Sequence, residues 1–194
     1  MKTNIILAGV GGQGILTIAA VLDTAALNSN LNIKQSEVHG MSQRGGAVQS
    51  HVRISDKEIF SDLIPEGKAD MIISVEPMEL LRYLPYLKKG GFLITDSNPF
   101  ENITNYPELE TLYKEIKTHK NTILIDAKGI AKEIGNSKAT NIVLLGAAAS
   151  LLPLSDESLQ KAIKMLFQRK GERIVIKNIE AYEKGKEIAS EMVS

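Results

Sequence analysis

Two stretches of this 194-residue chain hold residue types at spacings that suit ligand chemistry. The first is Gly9-Val10-Gly11-Gly12-Gln13-Gly14, which follows the apolar run Asn4 to Ala8 and precedes a second one, Ile15 to Leu27. A strand, a glycine turn and a helix start in that order bring bare backbone N–H groups to one point, where an anion can sit. Gly9 suits a tight turn, Gly11 and Gly12 allow a ligand or another chain to approach the backbone, and Gly14 lets the helix pack on the sheet. A helix N-terminus stabilises an anion by about 0.3–1 kcal/mol when exposed and ~2 kcal/mol when partly buried, so the turn needs help to hold a ligand. Close packing against a partner subunit is the other use of the same glycines.

The second stretch is Glu37-Val38-His39-Gly40-Met41-Ser42-Gln43-Arg44-Gly45-Gly46, too polar and glycine-containing for a packed element and therefore expected as a loop after the second strand. Arg44 followed by Gly45 and Gly46 offers a planar cation beside exposed backbone donors, suited to a phosphate or carboxylate. Ser42 and Gln43 add neutral hydrogen bonding, and His39 is a side chain that titrates near neutrality. Each has a plainer use: Arg44 pairing with Glu37, His39 as a structural or interface residue, the whole loop as a subunit contact. A dinucleotide-binding turn wants an acid at the end of the second strand to bond ribose hydroxyls, and only Glu37, 23 residues beyond Gly14, stands near that place. Nothing supplies an oxyanion hole or an orienting carboxylate, so no catalytic triad is assigned. Asp96 and Asp126 end apolar runs and are as well suited to capping a turn or helix as to lining a crevice.

These residues need elements to hold them. The chain reads as strand, turn and helix up to Leu27, a second strand over Leu31 to Ser36, and, after the polar loop, an alternating strand in which Val48, Ser50, Val52 and Ile54 interleave with Gln49, His51 and Arg53. Ser55-Asp56-Lys57 predicts a turn, with Glu58 to Phe60 returning as a short antiparallel strand. Met71 to Val75 predicts a buried strand, a helix to about Leu87 with Lys88 and Lys89 in its last turn, and another strand over Phe92 to Thr95. A helix over Glu108 to Lys117, a strand over Thr122 to Ile125 and helices over Ala127 to Ile134, Ile142 to Leu152, Ser155 to Phe167 and Glu172 to Met192 follow. The fold class is α/β: an open, doubly wound, mostly parallel sheet, Rossmann-like, with a helical C-terminal third and a single domain over 1–194. In such a sheet ligands bind outside the carboxyl ends of the strands, so both glycine segments are expected to border one crevice.

Composition removes several functions. Lys+Arg and Asp+Glu both number 23, so no global field gathers nucleic acid or an anionic membrane. The absence of cysteine excludes thiolate-held iron–sulfur clusters, thiolate zinc, disulfides and thiol nucleophiles on this chain. The three histidines, His39, His51 and His119, are far apart in sequence, which disfavours a histidine-rich metal site. The longest apolar stretch, Ile142 to Leu154, falls short of the ~20 residues that span a bilayer and is interrupted by Gly146, Ser150 and Pro153. A cytoplasmic location is expected.

Taken together, Gly-Gly-Gln-Gly at 11–14, Met-Ser-Gln-Arg-Gly-Gly at 41–46 and the strand Ala47 to Ser55 resemble the gamma domain of 2-oxoacid:ferredoxin oxidoreductases, over nearly the whole chain. Glu37 to Met41 replaces the more basic signature of the pyruvate enzymes, which favours the indolepyruvate (arylpyruvate) branch. The resemblance implies a small subunit that binds no cofactor by itself and is inactive alone. Its large alpha-subunit partner would carry thiamine diphosphate and iron–sulfur clusters, with coenzyme A as co-substrate and ferredoxin as electron acceptor. It also implies that Gly9, Gly11, Gly12, Gln13, Gly14, Ser42, Gln43, Arg44, Gly45 and Gly46 line the cofactor side of the shared site, and that Glu37, His39 and Arg44 face substrate.

Overall fold

In the computed structural model, residues 1–39, 45–101 and 103–193 are described. They form six strands, β1 (Lys2–Val10), β2 (Asn32–His39), β3 (Ala47–Ser55), β4 (Ala69–Ser74), β5 (Leu87–Asp96) and β6 (Thr122–Ile125). The helices are α1 (Ile15–Asn28), α2 (Pro77–Arg82), α3 (Leu109–Lys117), α4 (Ala127–Glu133), α5 (Thr140–Ala148), α6 (Asp156–Phe167) and α7 (Glu172–Val193). The strands make one mixed sheet of order β2-β3-β1-β4-β5-β6, parallel from β1 through β6 and antiparallel where β3 meets β1 and β2. The α/β class, the helices on both faces and the helical C-terminal third agree with the sequence expectation.

Side chains alternate across β1, so Ile5 and Leu7 enter a large core with α1, α5, α6 and α7, while Ile6 joins Ile72, Leu80, Leu93 and Ile116 on the other face. Helix α1 buries Ile15, Ile18, Ala19, Leu22, Ala25 and Ala26, the i, i+3, i+4 stripe of a helix lying on a sheet. It ends where Asn30 takes φ 56°, in the left-handed region. Beyond Thr140 and Asn141, α5 is apolar all round and buried, which suits its place between the sheet and α7.

Three expectations are corrected. β2 runs on to His39, so Glu37, Val38 and His39 belong to a strand: pairing with Ser50, Gln49 and Val48 of β3 satisfies a backbone whose side chains alone suggest a loop. Glu58 to Phe60 forms no strand, because both edges of β3 are already taken by β1 and β2. Lys88 and Lys89 stand on β5, not in a helix; α2 stops at Arg82, and Lys88 is paired with Asp70.

Candidate functional site

At the carboxyl end of β1 the chain turns through Gly11–Gly14 into α1. Gly14 is the N-cap at φ 79°, and a Cβ there would lie 2.6 Å from Asn141 Nδ2. That amide instead donates to the Gly14 carbonyl at 2.8 Å, from a side chain buried at the start of α5. Gln13 clasps the turn from the other side: its Oε1 accepts from Val10 N–H at 2.7 Å and its Nε2 donates to the Val75 carbonyl at 3.4 Å. Gln13 and Asn141 therefore tie the turn to the end of β4 and to α5. Gly12, at φ 100°, has open space where a side chain would be. Gly9 lies within β1 opposite Val48, and a Cβ on it would crowd Gln13 and Ile15 at 2.9 Å.

The second segment meets the first, since Gly11 N–H donates to the Gly46 carbonyl at 2.9 Å. The expectations for Ser42, Gln43 and Arg44 lie outside the described residues, as does that for the side chain of His39. Glu37 lies near the end of β2, where its Oε1 accepts from Gln35 Nε2 at 2.6 Å. Because β3 is inserted between β1 and β2, Glu37 stands two strand spacings, about 10 Å, from the glycine turn's own strand. A ribose-reading acid would stand on the adjacent strand, so this architecture departs from dinucleotide binding at that position. Glu37 instead acts on α1: burial first, and then its negative charge, push the Asp23 carboxyl up to about 6.

A cleft does open at the strand ends, but of the two glycine segments expected to border it the described lining includes Gly12, Gln13 and Gly14 and not Glu37, Gly45 or Gly46. A cleft of about 600 Å³ opens beyond β1, β4 and β5, walled by Gly12, Gln13, Gly14 and Thr17 on one side and by Asn98, Pro99, Phe100, Lys128, Lys138, Asn141, Phe167 and Lys170 on the others. This is where neighbouring crossovers diverge, α1 leading to β2 on one side and α2 to β5 on the other. Three lysines and the N-termini of α1 and α5 face one acid, Asp96, and Lys170 Nζ lies 5.2 Å from the Phe167 ring centroid.

Asp96 is committed to structure: it accepts from Asn98 Nδ2 at 2.9 Å and Ala127 N–H at 3.0 Å, and burial raises its pKa. Asp126 caps α4 through Gly129 N–H at 2.7 Å. The wall carrying Phe100 is anchored by the fully buried Glu76, which accepts from Phe100 N–H at 3.4 Å and from the Tyr106 hydroxyl. Burial together with that bond pushes the Tyr106 phenol well above its usual range.

Lys128, Lys138, Lys170 and Phe167 have no signature in the sequence, because they sit on α4, the loop before α5 and the end of α6 with the turn after it, and share no motif; their common wall exists only after folding. Among the described residues no histidine lines the cleft and no group of three His, Asp or Glu side chains could hold a metal. The cleft has the means to bind and orient an anion.

The model of the pyruvate ferredoxin/flavodoxin oxidoreductase family matches residues 4–188. An indolepyruvate oxidoreductase subunit, IorB, of Pyrococcus horikoshii is 40% identical over 201 residues, covering 98% of each chain. The crystal structure of a keto/oxoacid ferredoxin oxidoreductase gamma subunit from Geobacter sulfurreducens superposes with a TM-score of 0.75 at 27% identity, covering 98% of both chains. A 2-oxoglutarate:ferredoxin oxidoreductase from Magnetococcus marinus, solved with 2-oxoglutarate, coenzyme A and succinyl-CoA, has the fold at a TM-score of 0.79 and 22% identity; the match covers 98% of this chain but 31% of that one. With the family matched over residues 4–188 and a relative 40% identical over 98% of both chains, the chain belongs to the pyruvate ferredoxin/flavodoxin oxidoreductase family.

Proposed function

We propose that this chain is the small subunit of an indolepyruvate (arylpyruvate) ferredoxin oxidoreductase, which converts a 2-oxo acid and coenzyme A to acyl-CoA and CO2 and delivers the electrons to ferredoxin. The carrying observation is 40% identity to an indolepyruvate oxidoreductase subunit over 98% of both chains. Thiamine diphosphate and iron–sulfur clusters, held by a large alpha subunit, supply the reactive carbanion and the electron path. The absence of cysteine fits a chain that leaves cluster ligation to its partner. We place the complex in the cytoplasm; among the described residues no helix is long and apolar enough to cross a membrane.

In this scheme the chain supplies a wall of the shared site. The rigid turn at Gly11–Gly14 and the lysines of the cleft fit an anionic group, and a phosphate of coenzyme A is the candidate. Gln13 and Asn141 hold the turn so that its N–H groups need no reorganisation when the anion arrives. Arg44, Ser42, Gln43, Gly45 and Gly46 would complete that wall, with Glu37 and His39 toward substrate.

Purification from the native source tests the proposal. A much larger, brown, cysteine-rich polypeptide should accompany this chain, and only the pair should reduce ferredoxin with an arylpyruvate and coenzyme A. In the pair, Arg44→Ala should raise the KM for coenzyme A or for the oxo acid. Turnover by the isolated chain would overturn the division of roles.

A further inference from the structure

The segment between β3 and β4 has no regular secondary structure yet is held by buried polar side chains. Arg53, 8% exposed on β3, donates from Nη1 to the carbonyls of Ser61 at 2.7 Å and Leu63 at 2.9 Å, and from Nε to Asn4 Oδ1 at 3.1 Å. Asn4 Nδ2 in turn donates to the Lys68 carbonyl at 2.9 Å, and Ile64 N–H donates to the buried His51 Nδ1 at 3.0 Å. Ile59 and Ile64 point inward, 5% and 2% exposed. Between them Phe60 and Leu63 point outward, 86% and 53% exposed.

A flexible loop could fold such side chains back onto the protein. Here a buried guanidinium fixes the two carbonyls that follow Phe60, so the ring stays presented to solvent. Exposed Glu58 and Asp62 bracket it two residues to either side. A rigid aromatic projection with a charged rim has the anatomy of an interface anchor, preorganised so that little ordering accompanies docking. It lies at the far end of β1 from the glycine turn: Asn4, which shares Arg53, is six strand residues, roughly 20 Å, from Val10. Docking there leaves the cleft free.

We infer that the Phe60–Leu63 projection is an anchor by which this chain docks onto its partner subunit, entering an apolar socket rimmed by basic side chains. The inference rests on the proposed subunit role for the partner's existence; the surface itself is read from the loop. The two-subunit enzyme, with the tag on the partner, provides the test. Phe60→Ala should weaken association by about 30-fold or more, the size of a hot-spot truncation, with the melting temperature of the isolated chain unchanged. Phe60→Leu should recover much of the loss. Glu58→Lys with Asp62→Lys should slow association and reduce its salt dependence. Leu27→Ala, an exposed apolar site on α1, should have no effect. Equal association of wild type and Phe60→Ala overturns the inference while leaving the subunit role intact, whereas wild type that recruits no partner overturns the subunit role. If Phe60→Ala instead converts a dimer of this chain to monomer without affecting the partner, the socket belongs to a second copy and the inference fails.

Discussion

Asp23 shows how one half-buried group can make stability depend on pH. It lies on α1 above Glu37, and its Oδ1 is buried without a hydrogen-bond partner among the described residues. Burial first, and the Glu37 charge second, raise its pKa from 3.8 to about 6. The folded state therefore binds the proton more tightly than the unfolded state, and stability is lost as pH rises from about 4 through about 6. A full shift of this size corresponds to ~3 kcal/mol, and partial exposure brings the expected effect to about 1–2 kcal/mol. Asp23→Asn should raise the melting temperature at pH 8 and change it little at pH 4; thermal melts at the two values check this.

The glycine turn is also decided by single residues. At Gly14 the left-handed backbone alone disfavours a side chain by roughly 1–2 kcal/mol, and the Asn141 amide fills the remaining space. Gln13, which the motif presents as a ligand contact, has both ends of its amide in use within the protein.

At the scale of elements, α5 and α7 approach each other backbone to backbone. A Cβ on Gly146 would fall well inside contact with the Tyr182 carbonyl, and one on Gly185 would do the same to Val143. The two backbones meet with nothing between them, and Tyr182 OH reaches Asp156 Oδ1 of α6 at 2.6 Å to complete the layer. Gly146→Ala must separate helices that are anchored elsewhere, so it should destabilise by at least ~3 kcal/mol, visible as a lower denaturation midpoint. The same holds for Gly185→Ala. Since α5 also carries Asn141, the Gly146 variant should loosen the turn, which faster hydrogen exchange at the hydrogen-bonded N–H groups of Gly11 and Gln13 would report. The strand β3 makes a similar point: the alternating pattern leaves His51 and Arg53 as well suited to surface as to packing, and the 56–68 segment folds over them and buries both.

For the whole molecule, a net charge of zero gives no field to gather polyanions, and the proposed docking would cover the exposed aromatic projection. Binding to the folded state alone stabilises it by mass action, about 2.7 kcal/mol when the partner is present at a hundred times its Kd. For a chain of this size that corresponds to a rise of roughly 5–10 °C in melting temperature, measurable by scanning calorimetry of the chain with and without the proposed large subunit. No rise at saturating partner would contradict a shared assembly.

By itself the sequence determined the α/β class, the strand–turn–helix opening, the order of nearly every later element and the exclusion of thiolate chemistry, because hydrophobic period, glycine placement and composition act locally. Tertiary structure decided the rest. The insertion of β3 between β1 and β2, which moves Glu37 away from the turn, depends on long-range pairing that no local period encodes. The lysines that face the glycine turn across the cleft, and the ties of Gln13 to Val75 and of Asn141 to Gly14, likewise join residues tens of positions apart. Such groups become neighbours only when burial of the two sheet faces brings their elements together, and that burial is a property of the whole chain.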